Sequence, residues 1–271
     1  MEKHIRDYGV ICRERLELAA LEEVSAIDKK IMENPHCGDL WMERGLALSK
    51  QRLFRHASDS YSCAIMKDPF KGIYYRHRGH RFISCFRFED ACADFVLASR
   101  LIPENWDVWY HLGLSYFLLG DYENAACSYK TCLDITDKND DGAIIAVSNW
   151  LWITLMRLGE KEKAQAVIDN IGEDMDYGEN ISYYNLLLMY KGLINPDELL
   201  ALAENDQDFV TMGFGLSNYY SLIGQCEKTN ETIDAVFAKG EGTDNMYAFG
   251  YIAATVDRKN AEISAEGCAC K

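Results

Sequence analysis

The chain has 271 residues, 48% of them hydrophobic and 26% charged, and a net charge of −15. That balance is ordinary for a folded protein, and the acidity argues against general nucleic-acid binding. No basic segment followed by an apolar run opens the chain, and no stretch approaches the ~18 uncharged apolar residues of a membrane span, so a cytoplasmic protein is expected.

Residues 1–37 read as helical. Leu16, Leu18, Leu21, Val24 and Ile27 fall at roughly helical spacing, and Pro35 closes the segment. Glu22 and Glu23 stand where small residues are expected, which makes this a degenerate first repeat or a cap. From 38 to 137 the chain repeats itself every 34 residues. Pro35, Pro69 and Pro103 keep this step, as do Trp41, Tyr75 and Trp109, and Gly45, Gly79 and Gly113. So do Ala57, Ala91 and Ala125; Tyr61, Phe95 and Tyr129; and Ala64, Ala98 and Cys132. A fixed period of this length predicts stacked helix pairs, because one pair cannot bury its apolar face alone.

Each position has a mechanical reason. Trp41 and Gly45 are four apart, on one helix face. Glycine costs about 1 kcal/mol of helix propensity, which fits a close approach by the second helix, whose small residues are Ala57, Ala91 and Ala125. The prolines cannot continue a helix and start the next unit. Pairs are predicted over 38–51 with 54–67, 72–85 with 88–101, and 106–119 with 122–135. Gly120-Asp121 makes the turn of the third, a helix stop followed by a cap; Arg52 and Arg87 lie near that turn in the first two.

These residues resemble the tetratricopeptide repeat in three consecutive units. The resemblance implies an all-α fold, an α-α superhelix of right-handed sense, with the first helix of each pair lining a concave groove. The groove positions it implies are Met42 and Leu46, then Arg76 and His80, then Tyr110 and Leu114, with Phe117 one turn on.

Beyond 137 the register slips. Asp137 replaces the proline, 138–142 reads as a loop, and Ala164 lies 39 residues after Ala125, five more than the period. A fourth pair is expected over 143–158 and 161–171, adding Asn149 and Ile153 to the groove. Degenerate pairs and a capping helix are expected through 258, and a mobile tail over 259–271. The tyrosines of this third, Tyr183, Tyr184, Tyr190, Tyr219 and Tyr220, are expected in the core, with a dimer surface as the lesser reading.

Ten cysteines do not form a disulfide framework here. Cys63, Cys85, Cys92, Cys127 and Cys132 fall within helices as small apolar residues, and Cys268 and Cys270 form a CxC in the tail. His77 and His80, with Cys85 or His111, are a chance spacing rather than a metal site. No nucleophile elbow, phosphate loop or HExxH motif is present, so no catalytic residues, metal or cofactor are expected. Residues 50–87 hold nine basic and two acidic residues, +7 against −22 for the rest, which reads either as solvated faces or as a collar for an acidic partner.

The expected function is non-enzymatic: an adaptor that binds an extended peptide or helix of a partner protein in the groove. The partner carries apolar anchors and an acidic group or free carboxylate. The carboxylate clamp of some family members is absent, since Met42, Leu46, Tyr110 and Leu114 replace its polar residues. A peptide-signal receptor, or a regulatory subunit of an enzyme complex, is the alternative.

Overall fold

A computed structural model describes residues 22–269, and the side chains of residues 22–262. Leu16, Leu18, Leu21, Cys270 and the Cys268 side chain lie outside that range. Among the described residues the fold is all-helical. The chain divides into two compact units, one through Leu119 and one from Gly120. The division falls at the Gly120-Asp121 turn, within the third predicted pair.

The first unit holds α1 (Glu22–Glu33), α2 (Gly38–Lys50), α3 (Phe54–Lys67), α4 (Gly72–Ser84), α5 (Phe88–Leu101) and α6 (Trp106–Leu119). Each packs on the next in sequence. Val24, Ile27 and Ile31 of α1 share one core with Ala47, Leu48, Ala57 and Tyr61, so α1 serves as the second helix of a preceding unit. The repeated prolines act through their carbonyls as well as their rings. Trp41 Nε1 donates to Pro35 O (3.5 Å), Tyr75 Oη to Pro69 O (3.0 Å) and Trp109 Nε1 to Pro103 O (2.8 Å). Each bond ties a new unit to the close of the last.

The repeated glycine has a different neighbour from the one expected. A Cβ on Gly45 would lie 2.4 Å from Tyr61 Cε1, and one on Gly79 would lie 2.9 Å from Phe95 Cε2. The glycine therefore makes room for the aromatic ring of the second helix, not for its alanine.

The turn between helices needs one left-handed residue. Gly120 fills it at φ 78°, but Arg52 (φ 60°) and Phe86 (φ 58°) fill it in the first two pairs, so Phe86 and not Arg87 is the turn residue. These three positions keep the 34-residue step. The bonds Leu53 N to Leu48 O (3.0 Å) and Arg87 N to Phe82 O (2.9 Å) close the helices in the Schellman pattern. A left-handed non-glycine residue costs about 1–2 kcal/mol. Arg52→Gly is therefore expected to stabilise the protein by about 1 kcal/mol, seen as a raised urea midpoint with an unchanged slope.

The second unit holds α7 (Tyr122–Ile135), α8 (Asp141–Arg157), α9 (Lys161–Asp169), α10 (Ile181–Tyr190), α11 (Asp206–Leu222), α12 (Cys226–Gly240) and α13 (Phe249–Ala269). Asp121 caps α7 by accepting from Asn124 N (3.2 Å). Pro196 opens a 3-10 segment, Pro196–Leu202, where the pattern calls for a full second helix. Core packing takes up the tyrosines: Tyr184 and Tyr220 are buried, and Tyr190 stacks on Trp152 at 3.6 Å. Helix α13 runs on to Ala269, through most of the stretch expected as a tail. Cys127 is a correction: it is exposed rather than packed, whereas Cys132 is buried.

Candidate functional site

Charge governs the inner helices of the first unit. The basic run of 50–87 is matched by acids that mostly lie outside it in sequence. Lys50 pairs with Glu23 (3.1 Å), Lys71 with Asp39 (2.6 Å), Arg78 with Asp94 (2.7 Å) and Arg87 with Asp90 (2.8 Å). Arg76 pairs with Asp107. At least five of the nine basic residues of the run are thus paired, and four of these pairs join different helices.

The expected groove positions divide sharply. Met42 and Leu46 on α2 are half-buried, as are Arg76 and His80 at the equivalent positions of α4. Tyr110, Leu114 and Phe117 on α6 are buried, at 6%, 0% and 2% exposure. In the second unit Asn149 and Ile153 are buried as well. Burial at these positions leaves the expected groove no exposed anchors on α6 or α8. The reason lies in composition: α6 and α8 are apolar around most of their circumference, and such helices are enclosed on all sides.

Arg76 is held, not free. Its Nε bonds Asp107 and its Nη1 lies 3.1 Å from His77 Nδ1. Asp107 also lies 3.3 Å from His111 Nδ1. Burial raises the Asp107 carboxyl, but His111 and the Arg76 guanidinium outweigh it and bring the pKa down to about 2. His77 is lowered to about 4, first by burial and then by the Arg76 charge. Burial holds His80 well below its ordinary value, helped by Arg81 and the neighbouring His111, and lowers His111 despite Asp107. His80 therefore stays neutral. The rings of His80 and His111 sit 4.6 Å apart, yet among the described residues no three His, Cys, Asp or Glu are placed to hold a metal ion.

These histidines make the unit acid-sensitive. A histidine whose folded pKa is depressed contributes its full stability above the unfolded value of about 6.5, and loses it as pH falls toward the folded value. For His77 that window runs from about 6.5 down to about 4. For His77, staying neutral is expected to cost about 2 kcal/mol at pH 5. Urea midpoints at pH 7.5 and 5.0 measure the drop, and His77→Asn is expected to shrink it.

Two arrangements escaped the sequence reading. Asp39 accepts from Lys71 Nζ and from Tyr74 Oη (2.7 Å), joining α2 to α4. Arg44 and Arg78 occupy the same repeat position and grip the second helices on both sides: Arg44 bonds Asp28 and Ser60, and Arg78 bonds Ser62 and Asp94. Their 34-residue separation was the available signal.

The 34-residue register, the paired helices and the proline–aromatic bonds converge on one family, and the tetratricopeptide-repeat family model matches residues 107–139. That segment is a tetratricopeptide repeat. Among solved structures the chain is similar to YrrB, described as a tetratricopeptide-repeat protein with an unusual peptide-binding site, at 19% identity and a TM-score of 0.48, over 83% of this chain and 96% of that one. It is similar to pilF of Pseudomonas aeruginosa at 14% identity and a TM-score of 0.49, over 88% and 87% of the two chains. It is also similar to the first such domain of Spaghetti (RPAP3), solved with an HSP90 peptide, at 22% identity and a TM-score of 0.42, over 45% and 94%. No helix among the described residues of this repeat protein is long and apolar enough to cross a membrane.

Proposed function

We propose that this repeat protein is a non-enzymatic adaptor that binds an extended peptide or helix of a partner protein along α2 and α4. The observation that carries the reading is the half-exposed apolar strip of Met42 and Leu46 on α2, in register with Arg76 and His80 on α4. Apolar anchors supply affinity, and a few polar groups fix register. Because Asp107 neutralises Arg76, the partner needs an acidic group less than the sequence implied. The pair instead offers a fixed donor and acceptor, suited to peptide amides.

The test uses Leu46→Glu, since Leu46 is half-exposed and the change places a charge among the anchors. Partners captured by the parent chain are identified by mass spectrometry, and their affinity is measured by calorimetry. Leu46→Glu is expected to weaken binding at least tenfold at unchanged helicity, while Arg87→Glu on an exposed site has little effect. Equal binding by Leu46→Glu and the parent rejects the reading.

A further inference from the structure

The second unit contains a cleft that the groove reading does not use. Its cavity of about 870 Å³ lies where α7 and α9 flank α8. Two features open it. The surplus that breaks the register lies mostly within α8, which has seventeen residues where α4 has thirteen and α6 fourteen. In addition, α9 has nine residues where α3, α5 and α7 each have fourteen, so it walls a shorter stretch of α8. The floor is the α8 face of Ile144, Ser148, Leu151 and Leu155, mostly apolar, with Ile144 half-buried and the other three packed deeper, and Leu133 and Val167 stand in the walls.

The charges at its ends differ. Lys163 of α9 pairs with Glu160 at 2.8 Å, and the carboxyl of Glu160 is held low first by that bond and also by the charge of Lys130 from α7. Lys130 and Lys163, in the lining from α7 and α9, thus set two positive charges against this one carboxylate. At the other end Lys138 donates to Leu133 O (2.9 Å), and Asp141 and Asp174 add negative charge.

We propose that this cleft binds a small amphiphilic carboxylate, its apolar chain along α8 and its carboxylate between Lys130 and Lys163. The size suits the class, since ligand pockets of about 300–1,000 Å³ are mostly apolar with a few placed polar groups. The length suits it as well: at ~1.5 Å per residue, Ile144 to Leu155 spans about 16 Å, room for an unbranched chain of about ten carbons. A peptide fits less well. Its backbone amides need partners along their whole length, and between the charged ends the floor offers chiefly Ile144, Leu151 and Leu155. The exposed Lys163–Glu160 pair is of a weak kind that an incoming carboxylate can displace.

Decanoate titrated into the full chain, followed by calorimetry, tests the proposal. Saturable one-to-one binding is expected, with decanol at least tenfold weaker. The double variant Lys130→Ser, Lys163→Ser is expected to bind decanoate at least tenfold more weakly. Ala166→Trp, which fills the cleft from its exposed rim, is expected to abolish binding. Leu46→Glu is expected to leave it unchanged, which separates this site from the groove. No saturable binding, equal binding of decanol, or unaltered binding by the double lysine variant overturns the proposal. So does binding of a short acidic, apolar peptide in the absence of decanoate binding.

Discussion

Gly45→Val is expected to destabilise the first unit by about 3 kcal/mol or more, at the upper end of overpacking costs. A Cβ at position 45 would lie 2.4–2.7 Å from three atoms of the Tyr61 ring. The ring has nowhere to go. It is 1% exposed, its hydroxyl lies 3.2 Å from Ser49 Oγ, and it stacks on His77 at 5.5 Å. The control is Gly120→Ala. Gly120 has φ 78° and open space around it, so only the left-handed penalty of about 1–2 kcal/mol applies. Urea denaturation of both variants measures the contrast. Similar costs at the two positions contradict the packing assignment.

Arg157→Ala is expected to cost the second unit about 3 kcal/mol or more. Arg157 leaves the end of α8 and meets three elements: Asn218 of α11 through Nε (3.0 Å), Asp257 of α13 through Nη1 (2.9 Å) and the Tyr122 hydroxyl of α7 (2.8 Å). Burial opposes its charge, and Asp257 and Tyr122 outweigh burial and raise its pKa further. Removing the guanidinium leaves Asp257 without its cation and opens a void. Arg157→Lys is expected to recover little, because one ammonium cannot reach three partners at fixed angles. Thermal unfolding measures both variants; a lysine variant as stable as the parent contradicts this account.

Features set by the 34-residue period were legible because the period is a geometric constraint repeated several times. Pro69 with Tyr75, Gly79 with Phe95, and the turn at Gly120 each express a local contact that every unit needs. Pairings that differ between units were harder to read. Arg76 meets Asp107 across 31 residues and Lys71 meets Asp39 across 32, close to one period but belonging to no repeated motif. A basic residue read from composition alone thus turns out to be neutralised by a neighbouring unit. The groove was overextended for a related reason. Family positions mark where an inner helix faces, but exposure depends on how apolar that helix is on its other sides. The unbroken run around Tyr110, Leu114 and Phe117 signalled enclosure. At the C-terminal end, low apolar content suggested a tail, yet alanine and glutamate are good helix formers and α13 continues through them.

The central claim is that α2 and α4 carry the partner-binding surface. Amide hydrogen exchange of the full chain, with and without its captured partner, tests it most directly. The account predicts that binding slows exchange in Gly38–Lys50 and Gly72–Ser84, and that Leu46→Glu removes the effect. Slowing confined to the helices of the second unit, with α2 and α4 unchanged, contradicts it.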